Sequence, residues 1–490
     1  MKTIYYLLTG LALLISGCDD HFAALQENPN LPGTAAPINI LHRIIENAWE
    51  SPWTYAQRLN QYHVSTYVVY DDQGYLLGEY EMDYGNLRDI LAMEKEAGRV
   101  GTEEAKQFLP IAKFLKAFFY VRMTERLGDI PMSEAMKGEE GNFTPRYDTQ
   151  KEVYTQCLAL LEEANDELAP YIGQSSALTN DLYYNGDLAK WRKAINTFRV
   201  RVLLSLSKRN DEMNVAGQLN ALVSNPAKYP LMESIADNMQ ITYYGTMDDR
   251  YPLYPNGSTY SFIGKTYVDQ LVRTEDPRLF IQMVPGEAQN VGVEGRERLF
   301  SSYVGGDTGI IIDALQQQGN ESRLLARINY STYVTPTGLP CVQLGFQELQ
   351  FSLAEAANLG WIGGDAATYY EEGIRADMEF YGVSADDVNT FLSNAVNVYK
   401  GNNADGLRQI REQKYVALFQ NSGYLAFFEQ RRTGVPEFSV GEGNLNNGRI
   451  PRRWMYPTRE RQYNEENLKA ALNSQFNGSD DINNVIWLIK

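Results

Sequence analysis

The chain has almost no histidine: His21, His42 and His63 are all that 490 residues contain. Imidazole is the commonest general base and zinc ligand, so histidine-driven hydrolysis and zinc coordination have little material to work with. Cysteine is equally sparse, at Cys18, Cys157 and Cys341, which excludes a disulfide scaffold. There is no Gly-x-Ser-x-Gly elbow, no His-Glu-x-x-His pair and no glycine-rich phosphate loop ending in Lys-Ser or Lys-Thr. Positive charge is also short. With 44 Lys and Arg against 62 Asp and Glu, the net charge of −18 repels phosphate backbones and argues against nucleic acid as a partner. Beyond the extreme N-terminus, no run approaches the roughly 18 apolar residues needed to span a bilayer.

Core material, by contrast, is ample: 44% of the residues are hydrophobic, enough for one large domain and too much for disorder. Residues 1–17 carry Lys2, then an apolar run through Leu7, Leu8 and Leu11 to Ile15, then small residues. That is a secretory leader, too short to act as a stable span. The ending Ile15-Ser16-Gly17-Cys18 resembles the bacterial lipobox, in which the cysteine is lipidated and becomes the new N-terminus. Residues 18–37 then place Pro29, Pro32 and Pro37 among small and polar residues, a composition suited to an extended tether. The body of the protein is expected over 38–490 as a single domain.

Helical periodicity dominates that body. Residues 38–50 place Ile40, Leu41, Ile44, Ile45 and Ala48 on one side. Phe108, Ile111, Ala112, Leu115, Phe119, Met123 and Leu127 recur at three- and four-residue intervals, which paints one face of a helix. Pro110 sets its start, since proline is tolerated only in the first turn. Thr149 and Glu152 form a capping box ahead of a second stripe, Val153, Cys157, Leu158, Leu161, Ala164 and Leu168. Such a hairpin cannot bury its own stripes, so further helices must stack on it. Asp187 caps one bearing Trp191, Ile195, Phe198, Val202 and Leu206. Periodicity fails over 224–338, which is rich in Gly, Pro and Tyr and is expected to be loops with short strands. It resumes at 347–359, 365–381 and 407–431. The expected fold is mostly α: a tetratricopeptide-like helical hairpin scaffold with a large loop-rich insertion carrying short strands.

The turn-rich passage 127–147 and the helical stripe after it, GDIPMSEAM to TPRYDTQKEVYTQCLALLEEA, resemble the central signature of the SusD/RagB family of nutrient-binding outer-membrane lipoproteins, in its SusD-like subgroup. Similar phrases stand at 185–208, 347–383, 410–419 (IREQKYVALF), 428–438 (FEQRRTGVPEF) and 449–472. None is a catalytic motif. The resemblance implies about four stacked hairpins with the irregular segments gathered on one face. It also implies a cell-surface, lipid-anchored protein that delivers its ligand to a TonB-dependent, SusC-like outer-membrane transporter. Asp19 and Asp20, directly after the lipobox cysteine, look like the acidic surface-export signals of Bacteroidetes-type lipoproteins.

The ligand chemistry is carried by aromatics. Tyrosine and tryptophan present a flat apolar face with a polar tip, which matches the C–H faces and hydroxyls of a glycan. Most of the 33 tyrosines and 6 tryptophans brace helix packing, but those crowded into turns do not follow helical spacing. Two such stretches, 53–84 and 243–260, supply the candidate ligand-binding residues: Trp53, Tyr70, Asp72, Tyr75 and Tyr80 from the first, Asp248, Arg250, Tyr254 and Asn256 from the second. The acidic pairs Asp71-Asp72, Asp248-Asp249 and Asp480-Asp481 read as solvated turns, because neighbours in sequence seldom converge on one glycosidic bond. They carry oxygen ligands suited to calcium, yet no ordered Asp-x-Asp-x-Asp-Gly loop is present, so a structural calcium stays open and no other cofactor is expected. A disulfide between Cys157 and Cys341 also stays open. The leading expectation is a non-enzymatic binder of a glycan, with peptide capture as its near alternative. An α-helical glycosidase and a protein-binding helical scaffold are the competing classes.

Overall fold

The computed structural model describes residues 34–66, 71–247, 249–257 and 261–490, without the side chains of Asp71, Asp72 and Ser261. The expected leader, Cys18 and most of the tether therefore lie outside the described residues, as do Tyr70 and Asp248 and the side chain of Asp72.

Helix α1 (Pro37–Ala48) opens the body with proline at its first position, where the missing N–H has no intrahelical acceptor to lose. It packs on α2 (Tyr84–Val100), α2 packs on α3 (Phe108–Leu127), and α3 packs most extensively on α4 (Gln150–Leu168). Helix α3 buries residues on nearly every side, from Phe108 and Ile111 through Phe114, Ala117 and Phe119 to Tyr120, as a helix sandwiched between neighbours must. Pro110 falls in its first turn, as its position in the apolar stripe predicts. The capping box of α4 is formed: Thr149 accepts from the Glu152 backbone, and Glu152 accepts from the Thr149 backbone.

Helix α5 (Leu188–Ser205) is capped by Asp187, which accepts from the N–H groups of Ala189 and Lys190. It lays Trp191 into the core against Phe114, Tyr183 and Tyr184. Helix α6 (Val215–Val223) completes this part of the array. In the region expected to be loop, a ten-residue helix α7 (Lys265–Thr274) breaks the irregularity. Its stripe of Tyr267, Val268 and Leu271 is too short to stand out among surrounding glycines and prolines. Helices α8 (Phe346–Asn358), α9 (Ala366–Phe380) and α10 (Ala385–Ser393) come next, then α11 (Ala404–Ala417), α12 (Leu425–Thr433) and α13 (Glu465–Phe476). Helix α8 packs on α5, α9 and α11 and so joins the two halves of the scaffold.

The strands are short and paired two by two. β1 (His63–Ser65) runs antiparallel to β3 (Ser261–Ile263), with His63 opposite Ile263. β2 (Met239–Ile241) pairs with β6 (Cys341–Leu344), and β4 (Met283–Val284) with β5 (Arg327–Ile328). The first ladder fastens the interior of the loop-rich region to the 53–84 stretch, and the second fastens its early part to the strand that leads into α8. Cys157 on α4 and Cys341 on β6 are both free and buried, so the disulfide left open by the sequence does not form, and burial pushes both thiols up. Among the described residues, no helix is long and apolar enough to cross a membrane.

Candidate ligand-binding surface

After β2 the chain turns sharply through 243–257. Asp249 sets the turn: its Oδ2 accepts the Tyr244 N–H at 2.9 Å, its carbonyl accepts the Gly245 N–H at 2.8 Å, and its own N–H reaches the Thr246 carbonyl at 3.1 Å. The turn is laid onto 330–338. Tyr251 donates its N–H to the Pro336 carbonyl at 2.9 Å, and Gly338 (φ 50°) lies flat under the Tyr251 ring, where an added Cβ would stand 2.1 Å from Cγ. Only glycine tolerates both that φ and that approach.

Beneath this turn lies a braced aromatic layer. Tyr243 meets Tyr251 edge-on at 5.2 Å, Trp53 meets Tyr333 at 5.0 Å, and Trp53 meets Phe419 at 5.9 Å. Phe419 stacks in parallel on Tyr267 at 4.4 Å, which carries the packing down to α7. Trp53 sits in the left-handed region (φ 65°), a conformation that costs a bulky residue energy unless its surroundings hold it. Two bonds do so: its N–H donates to Gln420 Oε1 at 2.6 Å, and its indole Nε1 donates to the Tyr251 hydroxyl at 2.7 Å.

Above the layer, other side chains turn outward. Tyr244 is 75% exposed, Met247 85% and Tyr330 47%. Tyr330 is held against the turn by Gly257, whose Cβ position would be 2.8 Å from the tyrosine hydroxyl. Tyr254 is half-buried with the Arg250 guanidinium 5.5 Å above its ring, and Arg250 and Asn256 are exposed. The result is a set of aromatic faces with amide and guanidinium donors beside them, resting on a base that has no freedom to collapse. Such an arrangement stacks on flat, hydroxylated ligands.

Of the residues named from sequence, the structure brings together Arg250, Tyr254 and Asn256. Trp53 belongs to the same place but to its inner layer, bracing rather than presenting a face. Tyr75 is a correction: it is 2% exposed, donates its hydroxyl to the Leu59 carbonyl and accepts from Gln61, so its ring serves the core. Tyr80 is half-buried: its ring lies under the Arg126 guanidinium at 4.9 Å and its hydroxyl donates to Asp83, in a cluster with Tyr424, Phe428 and Trp454. Sequence reasoning misses Tyr244, Met247 and Tyr330. Tyr243 and Tyr244 are adjacent and identical in type, and only the reversal of the chain at Asp249 decides which one faces out.

The Asp249 carboxylate is engaged in setting the turn, and neither described histidine stands on its outer face. His42 donates its Nε2–H to the Asn180 carbonyl at 2.8 Å. His63 is buried on β1 beside Trp53, its ring nitrogens without a hydrogen-bond partner among the described residues. Desolvation, helped by the charge of Arg58, pushes it down to about 3, so it is neutral. Among the described residues no three His, Cys, Asp or Glu side chains converge as a metal site would require.

Known proteins share this architecture. A SusD-like family model described as starch-binding and associating with the outer membrane matches residues 32–457. A SusD homologue of Bacteroides fragilis is 28% identical, with a TM-score of 0.86 over 93% of this chain and 100% of its own. A second from the same species is 32% identical, at 0.82 over 93% and 100%. An outer membrane protein of Bacteroides vulgatus, whose name links it to nutrient binding, is 31% identical, at 0.83 over 93% and 100%. No match was found among curated proteins.

Proposed function

This chain belongs to the SusD-like family, and from that premise we propose that it is a non-enzymatic, surface-exposed lipoprotein that captures a glycan oligomer and passes it to a TonB-dependent outer-membrane transporter. The observation that carries the reading is the division of the aromatic turn into two layers. Tyr243, Tyr251, Tyr333 and Trp53 lock one another in place, and Tyr244, Tyr254 and Tyr330 are left with faces toward solvent. A binder profits from such preorganisation, because the rings lose little freedom when the ligand arrives. The family description, starch-binding, favours a glycan over a peptide.

Anchorage follows from Cys18, which would carry the acyl chains, with residues 19–36 as the spacer. A protein held outside the membrane by lipid has no means of moving its ligand across, so a barrel partner is required.

Calorimetry of the purified protein against neutral gluco-oligosaccharides, chito-oligosaccharides and a peptide panel tests the reading. Removing one stacked ring, as in Tyr244→Ala or Tyr330→Ala, is expected to weaken glycan binding on the order of 5- to 150-fold with little change in melting temperature. If both variants keep full affinity for the glycan that binds, or if only peptides bind, the reading fails. Turnover of any bound glycan would transfer the protein to the competing enzymatic class.

A further inference from the structure

Three stretches that the aromatic turn does not use converge elsewhere: the segment entering α2, the turn-rich passage 127–147, and the chain ahead of α13. They enclose a groove of about 560 Å³ whose walls include Tyr84, Arg88, Met136, Arg459, Glu460 and Tyr463. It shares no residue with the 243–257 surface, and its volume is that of an ordinary small-ligand site.

Two features mark the groove as built. Tyr463 stands 71% exposed at its edge, and Tyr84 is fixed in its wall by donating its hydroxyl to the Pro131 carbonyl at 2.6 Å. Met136, 36% exposed, is held in the left-handed region at φ 64°, a strained state for an unbranched, bulky side chain. Its thioether and the two rings form a soft apolar wall for a ring face.

The groove's charges are equal in number, Glu81 and Glu460 against Arg88 and Arg459, but they are unequally partnered. Glu460 already accepts from the Tyr147 hydroxyl at 2.7 Å and from Asn464, and Glu81 faces Arg459 at 3.4 Å. Arg88 is exposed and has neither ion pair nor hydrogen bond among the described residues. In a chain of net charge −18, a free guanidinium over an apolar wall suits a carboxylate, which it can grip with two parallel donors. We propose that this groove is a second oligomer site, independent of the aromatic turn, and that it takes a carboxylate-bearing glycan of the uronic-acid class.

The test is calorimetry of the purified protein with oligogalacturonate and oligoguluronate, with neutral gluco-oligosaccharides and acidic peptides as comparisons. Uronate binding should weaken about 10-fold or more in Arg88→Gln, and to a similar degree in Tyr463→Ala, each losing one charge-assisted or stacking contact. It should weaken with added salt, and Tyr244→Ala should leave it unchanged. Both substituted groove side chains are exposed, so melting temperature serves as the folding control. Absence of uronate binding, uronate binding indifferent to Arg88→Gln, or acidic peptides binding in place of uronates would each overturn the proposal. Because the control variant sits on the other surface, failure here is distinguishable from failure of the glycan reading there.

Discussion

The indole N–H of Trp53 donates to the hydroxyl of Tyr251 across 2.7 Å, joining two residues 198 positions apart. That bond ties the segment after α1 to the turn after β2, and it makes Trp53 part of the support rather than the binding face. Residues of the two layers should therefore respond differently to truncation.

Trp53→Ala empties the middle of the layer, removing the edge contacts to Tyr333 and Phe419 and leaving the Tyr251 hydroxyl without its donor. A cost of about 3 to 5 kcal/mol is expected, as for other large-to-small changes among packed rings. Tyr244→Ala, at an exposed ring, should stay within about 0.5 kcal/mol. Urea denaturation of the two variants compares them directly. Equal stabilities would mean that the layers do not differ.

A second prediction concerns Arg278, which has no exposure and is shared between carboxylates. Its Nη1 donates to Asp377 Oδ2 at 2.6 Å, its Nε to Asp276 Oδ1 at 2.9 Å, and its Nη2 to Gln413 at 2.8 Å. It thereby bolts the loop-rich region to α9 and α11. Arg278→Met strands two buried carboxylates and should destabilise by about 3 to 5 kcal/mol. Arg278→Met with Asp377→Leu and Asp276→Asn should recover part of that loss. If the single variant melts like the parent, the triad has no structural role.

These contacts mark what the sequence could and could not reveal. Periodicity, the Thr149 capping box and the Asp187 cap are local, so the scaffold was legible from neighbours three and four residues apart. The candidate surface depends on pairs such as Trp53 with Tyr251 and Tyr330 with Gly257, whose partners lie tens to hundreds of positions away. Tyrosine density singled out two stretches but could not separate Tyr75, buried by its hydroxyl bond to Leu59, from Tyr244, turned out by Asp249. Helix α7 escaped because ten residues offer too few turns for a period to show.

Membrane attachment offers a third prediction. Cys18→Ala should abolish incorporation of labelled palmitate and release the protein from the membrane fraction, while the purified variant keeps the parent's melting temperature and glycan affinity. Label persisting in the variant would refute lipidation at Cys18.

The last prediction is a pair of opposite pH dependences. His63 is buried on β1, and desolvation lowers it to about 3 from an ordinary value near 6.5. Above pH 6.5 neither the folded nor the unfolded chain is protonated there, and stability is complete. As pH falls below 6.5 the unfolded chain takes up a proton that the folded chain refuses, so stability declines by up to about 1.4 kcal/mol per pH unit until pH 3. Asp129 works the other way. Burial raises it to about 7 from 3.8, despite the hydrogen bond it accepts from the Gln150 N–H at 2.8 Å. The folded chain then holds its proton between pH 4 and 7 more firmly than the unfolded one. Its stabilisation is complete below pH 4 and lost as pH rises through 7. Relative to the parent, His63→Leu should flatten the acid limb, narrowing the difference in stability between pH 7 and pH 5 by about 2 kcal/mol. Asp129→Asn keeps the acceptor for Gln150 but removes the titration, so it should gain on the parent by about 2 to 4 kcal/mol on going from pH 4 to pH 8. Urea midpoints at pH 4, 5, 7 and 8 for the three proteins decide the matter. If the variants track the parent at every pH, neither group is as desolvated as its surroundings require.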